Sequence, residues 1–267
     1  MNAKLAIALE TGPASEQRLR PMVRPRVVGE GTLIVVPTYD ERDNLRRLLH
    51  EIFRHAPGVH VLVVDDNSPD GTGALADALA RVDSRVFVRH RPAKLGLGSA
   101  YVEGFAWGLA RGYQRFFEMD SDFSHDPAEL SRFFDAFERG ADVVVGSRNV
   151  RGGKILGWGW GRLALSKGGS AYSRAVLGIG VRDLTTGYKA YSRQALAGLG
   201  LSRVRSNGYS FQIETTFRAL GAGFQVVEVP ITFVDRRVGR SKMNGRIFCE
   251  AMAVVWRLRF ETLYAKR

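Results

Sequence analysis

The sequence is poor in cysteine, in long apolar runs and in the glycine signatures of the common nucleotide-binding loops. Its single cysteine, Cys249, excludes an internal disulfide and a metal site built on several thiolates. No stretch approaches the ~18 apolar residues of a membrane-spanning helix. The patch Leu5-Ala6-Ile7-Ala8-Leu9 is cut off by Glu10, too short for the core of a secretory leader. The expectation is a protein made and kept in the cytoplasm, soluble or held at a membrane surface. No Gly-x-x-x-x-Gly-Lys-Ser/Thr loop occurs. The first apolar run ends in Pro37-Thr38-Tyr39-Asp40-Glu41, where a dinucleotide binder would carry Gly-x-Gly-x-x-Gly. That argues against hydride transfer. Acids are also in deficit, 27 against 39 Lys and Arg, and the resulting charge of +12 favours an anionic partner.

Strand-like and helix-like segments alternate. Thr32 to Pro37, His60 to Asp65, Arg85 to Val88, Phe116 to Met119 and Ala141 to Gly146 are short, mostly apolar runs. Between them lie helical patterns, such as Leu45, Leu48, Leu49, Ile52 and Phe53, then Ala74 to Val82 and Gly96 to Arg111. Apolar strands alternating with helices predict an α/β protein with a parallel sheet covered on both faces. Residues 1–29 read as a flexible basic tail, 30–245 as one domain, and 246–267 as a basic amphipathic helix. A single strand is expected over Val226 to Phe233.

The central stretch is Phe116-Phe117-Glu118-Met119-Asp120-Ser121-Asp122. An apolar run stops at two carboxylates one residue apart, which would put Asp120 and Asp122 on the sheet rim where open α/β sheets bind ligands. Adjacent carboxylates repel and call for a cation. Mg²⁺ takes one or two carboxylates together with substrate phosphates. The same residues also read as turn or capping groups before a helix at Asp126-Pro127, and by itself Asp-x-Asp favours that reading. Two further runs end in acids at the same rim, Asp40-Glu41 and Asp65-Asp66.

An ordered set of motifs runs through the chain: Val36-Pro37-Thr38-Tyr39-Asp40-Glu41, Val63-Val64-Asp65-Asp66-Asn67-Ser68-Pro69-Asp70-Gly71-Thr72, Lys94-Leu95-Gly96-Leu97-Gly98, Asp120-Ser121-Asp122, Val145-Gly146-Ser147-Arg148, Asp183-Leu184-Thr185-Thr186-Gly187-Tyr188-Lys189 and Arg236-Arg237-Val238-Gly239-Arg240-Ser241-Lys242. Together they resemble the glycosyltransferase family 2 enzymes of GT-A fold, and within them the polyprenol-phosphate mannose synthases. The resemblance implies a Rossmann-like, mostly parallel sheet flanked by helices, with an elaborated C-terminal region for the acceptor and the membrane. It implies transfer of mannose from GDP-mannose to a polyprenyl monophosphate with inversion, giving a β-linked product and GDP.

Carried onto this chain, Pro37, Tyr39, Glu41, Val64 and Asp66 match positions that bind the nucleoside half of the donor. Asp120, Ser121 and Asp122 match the diphosphate site with its Mg²⁺ or Mn²⁺. Arg236 and Lys242 fit a loop that closes on the donor phosphates. Arg148, Arg162 and Ser166 match residues that hold the acceptor phosphate, with Arg148 counted among the catalytic groups. Some family members place Gln two residues beyond the second acid as a metal ligand. Here Ser124 stands in that position, a shorter donor that would call on a bridging water. Each residue also has a plainer reading as a cap, a turn or solvated surface. His125 reads equally as a cap or a ligand.

Trp158, Trp160 and the segment 247–260 suit a membrane interface; packing on the domain core is the alternative for both, and for 247–260 the two readings are about even. A separate membrane-anchoring protein is a candidate partner. A sister enzyme using UDP-glucose is the nearest alternative. A nucleic-acid module would also explain the charge, but acids at three strand ends would repel phosphate there. No nucleic acid is expected.

Overall fold

The β-branched runs Leu33 to Val36 and Val61 to Val64 are fully buried on both faces, which is the condition of central parallel strands. A computed structural model of the chain describes residues 27–204, 206, 208–235 and 252–261. Its elements are β1 (Thr32–Thr38), α1 (Arg42–His55), β2 (His60–Asp65), α2 (Thr72–Val82), β3 (Val86–His90), α3 (Leu97–Ala110), β4 (Arg115–Glu118), α4 (Leu130–Glu138) and β5 (Val143–Ser147). There follow β6 (Lys154–Leu156), α5 (Trp160–Leu177), β7 (Lys189–Ser192), α6 (Arg193–Gly198), α7 (Gly208–Gly221), β8 (Val226–Pro230) and β9 (Thr232–Val234). A last helical stretch covers residues 252–261.

The main sheet has the order β3-β2-β1-β4-β7-β5-β8. Pairing is parallel except at β7, which lies antiparallel to both β4 and β5. From β1 the chain steps outward through β2 to β3 and then returns to place β4 on the other side of β1. The reversal opens a crevice at the carboxyl ends of β1 and β4, where ligands of such sheets bind.

One sheet face packs Ile34, Val36 and Phe117 against α1, α2 and α4. The other packs Leu33, Val35 and Phe116 against α3, α6 and α7. Helix α3 comes close because it carries glycines on its inner face. A Cβ at Gly104 would stand 2.6 Å from Val35 Cγ1, and one at Gly108 2.5 Å from Leu33 Cδ2.

Two local expectations change, and a third, left open between core and lipid, resolves toward the core. The segment 226–233 is two strands in two sheets: Pro230, which has no N–H to offer a ladder, ends β8, and β9 pairs with β6 instead. Val27 to Gly29, assigned to the tail, are tied down by the Gly58 N–H on the Val28 carbonyl at 2.8 Å. The helical residues 252–261 bury Val254, Val255 and Leu258 against Leu177, Leu184 and Ile213, so this stretch docks on the domain. Trp256 and Phe260 remain about half exposed on its outer side. Among the described residues no helix is long and apolar enough to cross a membrane.

Candidate active site

A pocket of about 330 Å³ opens at the crevice. Its walls come from the segments after β1 (Pro37, Tyr39, Glu41), β2 (Asp66), β3 (Lys94, Gly96) and β4 (Asp120, Ser121, Asp122), closed by Arg162 from α5 and Gln212 from α7. The three acid-ended runs thus converge as foretold, and the segment after β3 joins them.

The three acids of the segment 65–70 have separate tasks. Asp65 accepts hydrogen bonds from Thr38 Oγ1 at 2.9 Å and Ser68 Oγ at 2.6 Å, binding the β1 and β2 loops together. Asp70 accepts the Thr72 N–H at 2.9 Å and the Arg42 N–H at 3.1 Å, which starts α2 and ties it to α1. Asp66 alone reaches the pocket. Its Oδ1 lies 2.8 Å from Nη1 of the buried Arg91. Burial raises the Asp66 carboxyl above its ordinary range, opposed by the Arg91 charge and by the backbone N–H groups of Gly96 and Leu95.

Among the described residues three non-glycines have positive φ, and each adjoins a pocket residue: Asp40 beside Tyr39, Asn67 beside Asp66, and Phe123 beside Asp122, all at 60°. Asp and Asn tolerate that conformation, whereas for Phe it costs about 1–2 kcal/mol. The ring of Phe123 lies against the Arg47 guanidinium at 4.9 Å. Strain concentrated at the rim fits a loop shaped for a ligand.

Asp120 is held from below. His125 Nδ1 accepts the Asp120 N–H at 3.0 Å, which leaves the ring proton of a neutral imidazole on Nε2. The His125 ring stacks on Tyr188 at 4.9 Å. Tyr101 donates to Asp120 Oδ1 at 3.3 Å. Two residues earlier, Glu118 is fully buried and accepts from Tyr191 at 2.7 Å and Gln212 at 2.6 Å. Its register partner across the sheet is Lys189, whose Nζ donates to the Gln212 carbonyl and, at 2.7 Å, to Thr216 Oγ1. Burial pushes Glu118 up to about 7, against the pull of Lys189, and pushes Lys189 down to about 8. This polar core ties β4, β7 and α7 together directly under the acids.

Asp120 and Asp122 offer hard oxygen donors to the pocket. Gly187 keeps the space beside them open, since a Cβ there would stand 3.6 Å from Asp120 Oδ2. Among the described residues no cluster of three or more His, Cys, Asp or Glu could hold a metal. Two carboxylates, with water and substrate phosphate completing the sphere, fit Mg²⁺ or Mn²⁺. Ser124, expected as a third ligand, is buried and does not line the pocket. Its N–H binds Asp122 Oδ1 at 3.0 Å, and its hydroxyl has no hydrogen-bond partner.

The other expected residues divide. Val64 lies wholly in the core against α3, because strand alternation turns its side chain away from the pocket. Arg148 and Ser166 do not line the pocket either. Arg148 is drawn inward by Asp183, with Nε to Oδ2 and Nη2 to Oδ1 both 2.7 Å. Ser166 sits on the buried stripe of α5. Arg162 does reach the pocket, bonded through Nη1 to Asp235 at 2.8 Å and stacked over Trp158 at 4.1 Å. Trp158 therefore packs inward, against Phe233 as well, while Trp160 is 88% exposed. Arg236 and Lys242 lie outside the described residues. Arg91, Tyr101 and Gln212 escaped the sequence reading, and Lys94 entered it as part of a motif with no role assigned. The nearest signal was the basic pair His90-Arg91 closing β3 at the same rim as the acids.

Comparisons with known proteins give the family and agree with the fold. Polyprenol monophosphomannose synthase of Mycolicibacterium smegmatis is 54% identical over 240 residues, 89% of each chain. Undecaprenyl-phosphate mannosyltransferase of Micrococcus luteus is 48% identical over 84% of this chain and 92% of that protein. Crystals of Mycobacterium tuberculosis glucosyl-3-phosphoglycerate synthase with Mn²⁺, UDP-glucose and phosphoglyceric acid superpose with a TM-score of 0.65 at 21% identity, covering 86% of this chain and 80% of that one. That likeness gives the GT-A fold. The model of glycosyl transferase family 2 matches residues 33–200, the stretch from β1 through the acid-ended strands and β7. This chain belongs to glycosyl transferase family 2.

Proposed function

We propose that the chain transfers mannose from GDP-mannose to a polyprenyl monophosphate, with inversion, using Mg²⁺ or Mn²⁺ at the membrane surface. The observation that carries this reading is the meeting of Asp66, Asp120 and Asp122 in one pocket, in a chain with relatives named for mannosyl transfer to polyprenyl phosphates. Asp66, held by Arg91, takes donors of the nucleoside; Tyr39, its ring covered by Lys94 Nζ at 3.5 Å, bounds the same end. Asp120 and Asp122 would hold the metal, which when bound neutralises charge on the departing diphosphate. A phosphate oxygen of the acceptor bonds to the anomeric carbon as the bond from that carbon to the diphosphate oxygen breaks. The acceptor phosphate, with a second pKa near ~6, is already anionic at neutral pH, so no protein base is needed. Arg162 draws that anion to the pocket. Arg148 supports the acceptor side from its buried pair with Asp183.

Trp160, Leu165, Trp256 and Phe260 are exposed, on α5 and on residues 252–261. They join where Trp256 Nε1 donates to Tyr172 at 2.8 Å. Aromatic and aliphatic side chains on two packed helices suit peripheral contact with lipid on the cytoplasmic face. The test is radiolabelled transfer to a short polyprenyl phosphate, comparing GDP-mannose with UDP-glucose, with and without EDTA. Incorporation from GDP-mannose alone, abolished by EDTA, is expected. Incorporation only from UDP-glucose would overturn the donor and leave the fold and acceptor standing.

A further inference from the structure

A second concavity, of about 500 Å³, lies beside α5 and shares no lining residue with the donor pocket. Arg148, Asn149, Gly153, Lys167, Arg174 and Arg182 line it. Lys167, Ala171 and Arg174 stand at i, i+4 and i+7, one side of the helix, and the small Ala171 leaves the middle of that side open. Arg148 is spent on Asp183. Lys167, Arg174 and Arg182 are different: among the described residues none of them has an ion pair. The two carboxylates next to the groove are engaged. Asp183 takes Arg148, and Glu228 accepts the N–H groups of Arg182 at 2.8 Å and Asp183 at 3.0 Å. Arg174 Nε is buried without a hydrogen-bond partner. A buried guanidinium N–H left unpaired beside two further cations asks for an anion.

From this we infer that the groove binds a phosphate anion, distinct from the substrate phosphates of the donor pocket, and that its source is the headgroup of an anionic phospholipid. The choice of a lipid rests on Trp160. It stands seven residues before Lys167, on the same side of α5, and is 88% exposed, as an aromatic residue at a membrane interface would be. Phosphodiester oxygens would meet the forked N–H groups of Arg174 and Arg182, with Lys167 at the mouth. The site is independent of which sugar the enzyme transfers.

The test measures partition of the full chain onto three vesicle types at fixed ionic strength: phosphatidylcholine alone, with phosphatidylglycerol, and with a phosphate-free anionic lipid at equal surface charge. Inorganic phosphate is added as a competitor. The variants are Lys167→Gln with Arg182→Gln, both exposed positions, and Arg174→Gln separately. Phosphatidylglycerol vesicles should bind best, and each neutralised side chain should weaken that binding roughly fivefold. Transfer to a detergent-dispersed acceptor should be unchanged. Preference for phosphatidylglycerol that disappears in the variants supports the lipid source. Saturable, variant-sensitive binding of inorganic phosphate without that preference keeps the anion site and overturns the lipid. Variants that bind like the parent, or equal binding to both anionic vesicles with no saturable binding of inorganic phosphate, overturn the proposal altogether.

Discussion

Arg148 and Asp183 form a two-pronged ion pair at 2.7 Å, with side chains only 4% and 0% exposed. Burial by itself would raise the Asp183 carboxyl. The Arg148 charge and the hydrogen bonds from Arg148 and Thr185 outweigh it and hold the group below the ordinary carboxylate range. The folded-state value thus lies below the unfolded one, so this contribution is complete above about pH 4 and is lost as pH falls below it. Asp183→Asn should destabilise the protein by about 3 kcal/mol or more at pH 7, since it strands a buried guanidinium. Urea midpoints at pH 7 and pH 3 check both points. The parent should lose more than the variant on acidification, and parallel losses would remove this pair as the source.

Asp122 lines the pocket and accepts the Ser124 N–H at 3.0 Å. Asp122→Asn keeps that acceptor and removes the charge. Turnover should fall by about 100-fold or more, with a melting temperature within a few degrees of the parent. Mn²⁺ titration followed by electron paramagnetic resonance should show weakened metal binding. Unchanged Mn²⁺ affinity in the folded variant would rule out the metal role.

Arg162 is aimed by the Trp158 ring beneath it and by Asp235. Trp158→Ala removes the aromatic support, worth about 1 kcal/mol for a partly desolvated guanidinium. The KM for the lipid phosphate should rise by roughly fivefold while the donor KM stays constant. A rise in the donor KM alone would assign Arg162 to the nucleotide.

Two glycines on helices should respond with opposite signs. Gly108→Ala drives a methyl into Leu33 and Phe116 and should cost about 1–3 kcal/mol. Gly168→Ala, in the exposed interior of α5 with nothing within 4 Å of its Cβ, should gain about 0.5–1 kcal/mol from helix propensity alone. Thermal unfolding of the two variants decides the matter, and similar shifts would discount the close approach of α3 to the sheet.

Strands β1, β2 and β4 were legible because they are mostly apolar and run into acids. Phe116, Phe117 and Asp120 announced both the strand and the rim. β7 was not, because Lys-Ala-Tyr-Ser carries a lysine in what proves to be the core, where the Gln212 carbonyl, Thr216 and the charge of Glu118, all far from it in sequence, make it tolerable. Arg148 was legible as a conspicuous cation but not in its direction, since its partner lies 35 residues away. Val64 shows the limit of matching positions: the motif gave the strand, and the pleat decided which side of it the valine faces.

The antiparallel insertion of β7 also sets an order of assembly. Strands β1 to β4 are complete by residue 118 and β5 by 147, yet β4 and β5 do not touch; each pairs with residues 189–192 instead. A chain emerging from the ribosome therefore holds two bare strand edges facing a gap. One of them belongs to the strand that carries the acidic pair. Open edges of that kind recruit other chains. Interruption between residues 147 and 189 should accordingly yield aggregation-prone fragments, whereas extension past Ser192 allows the two halves to lock. The keystone arrives late.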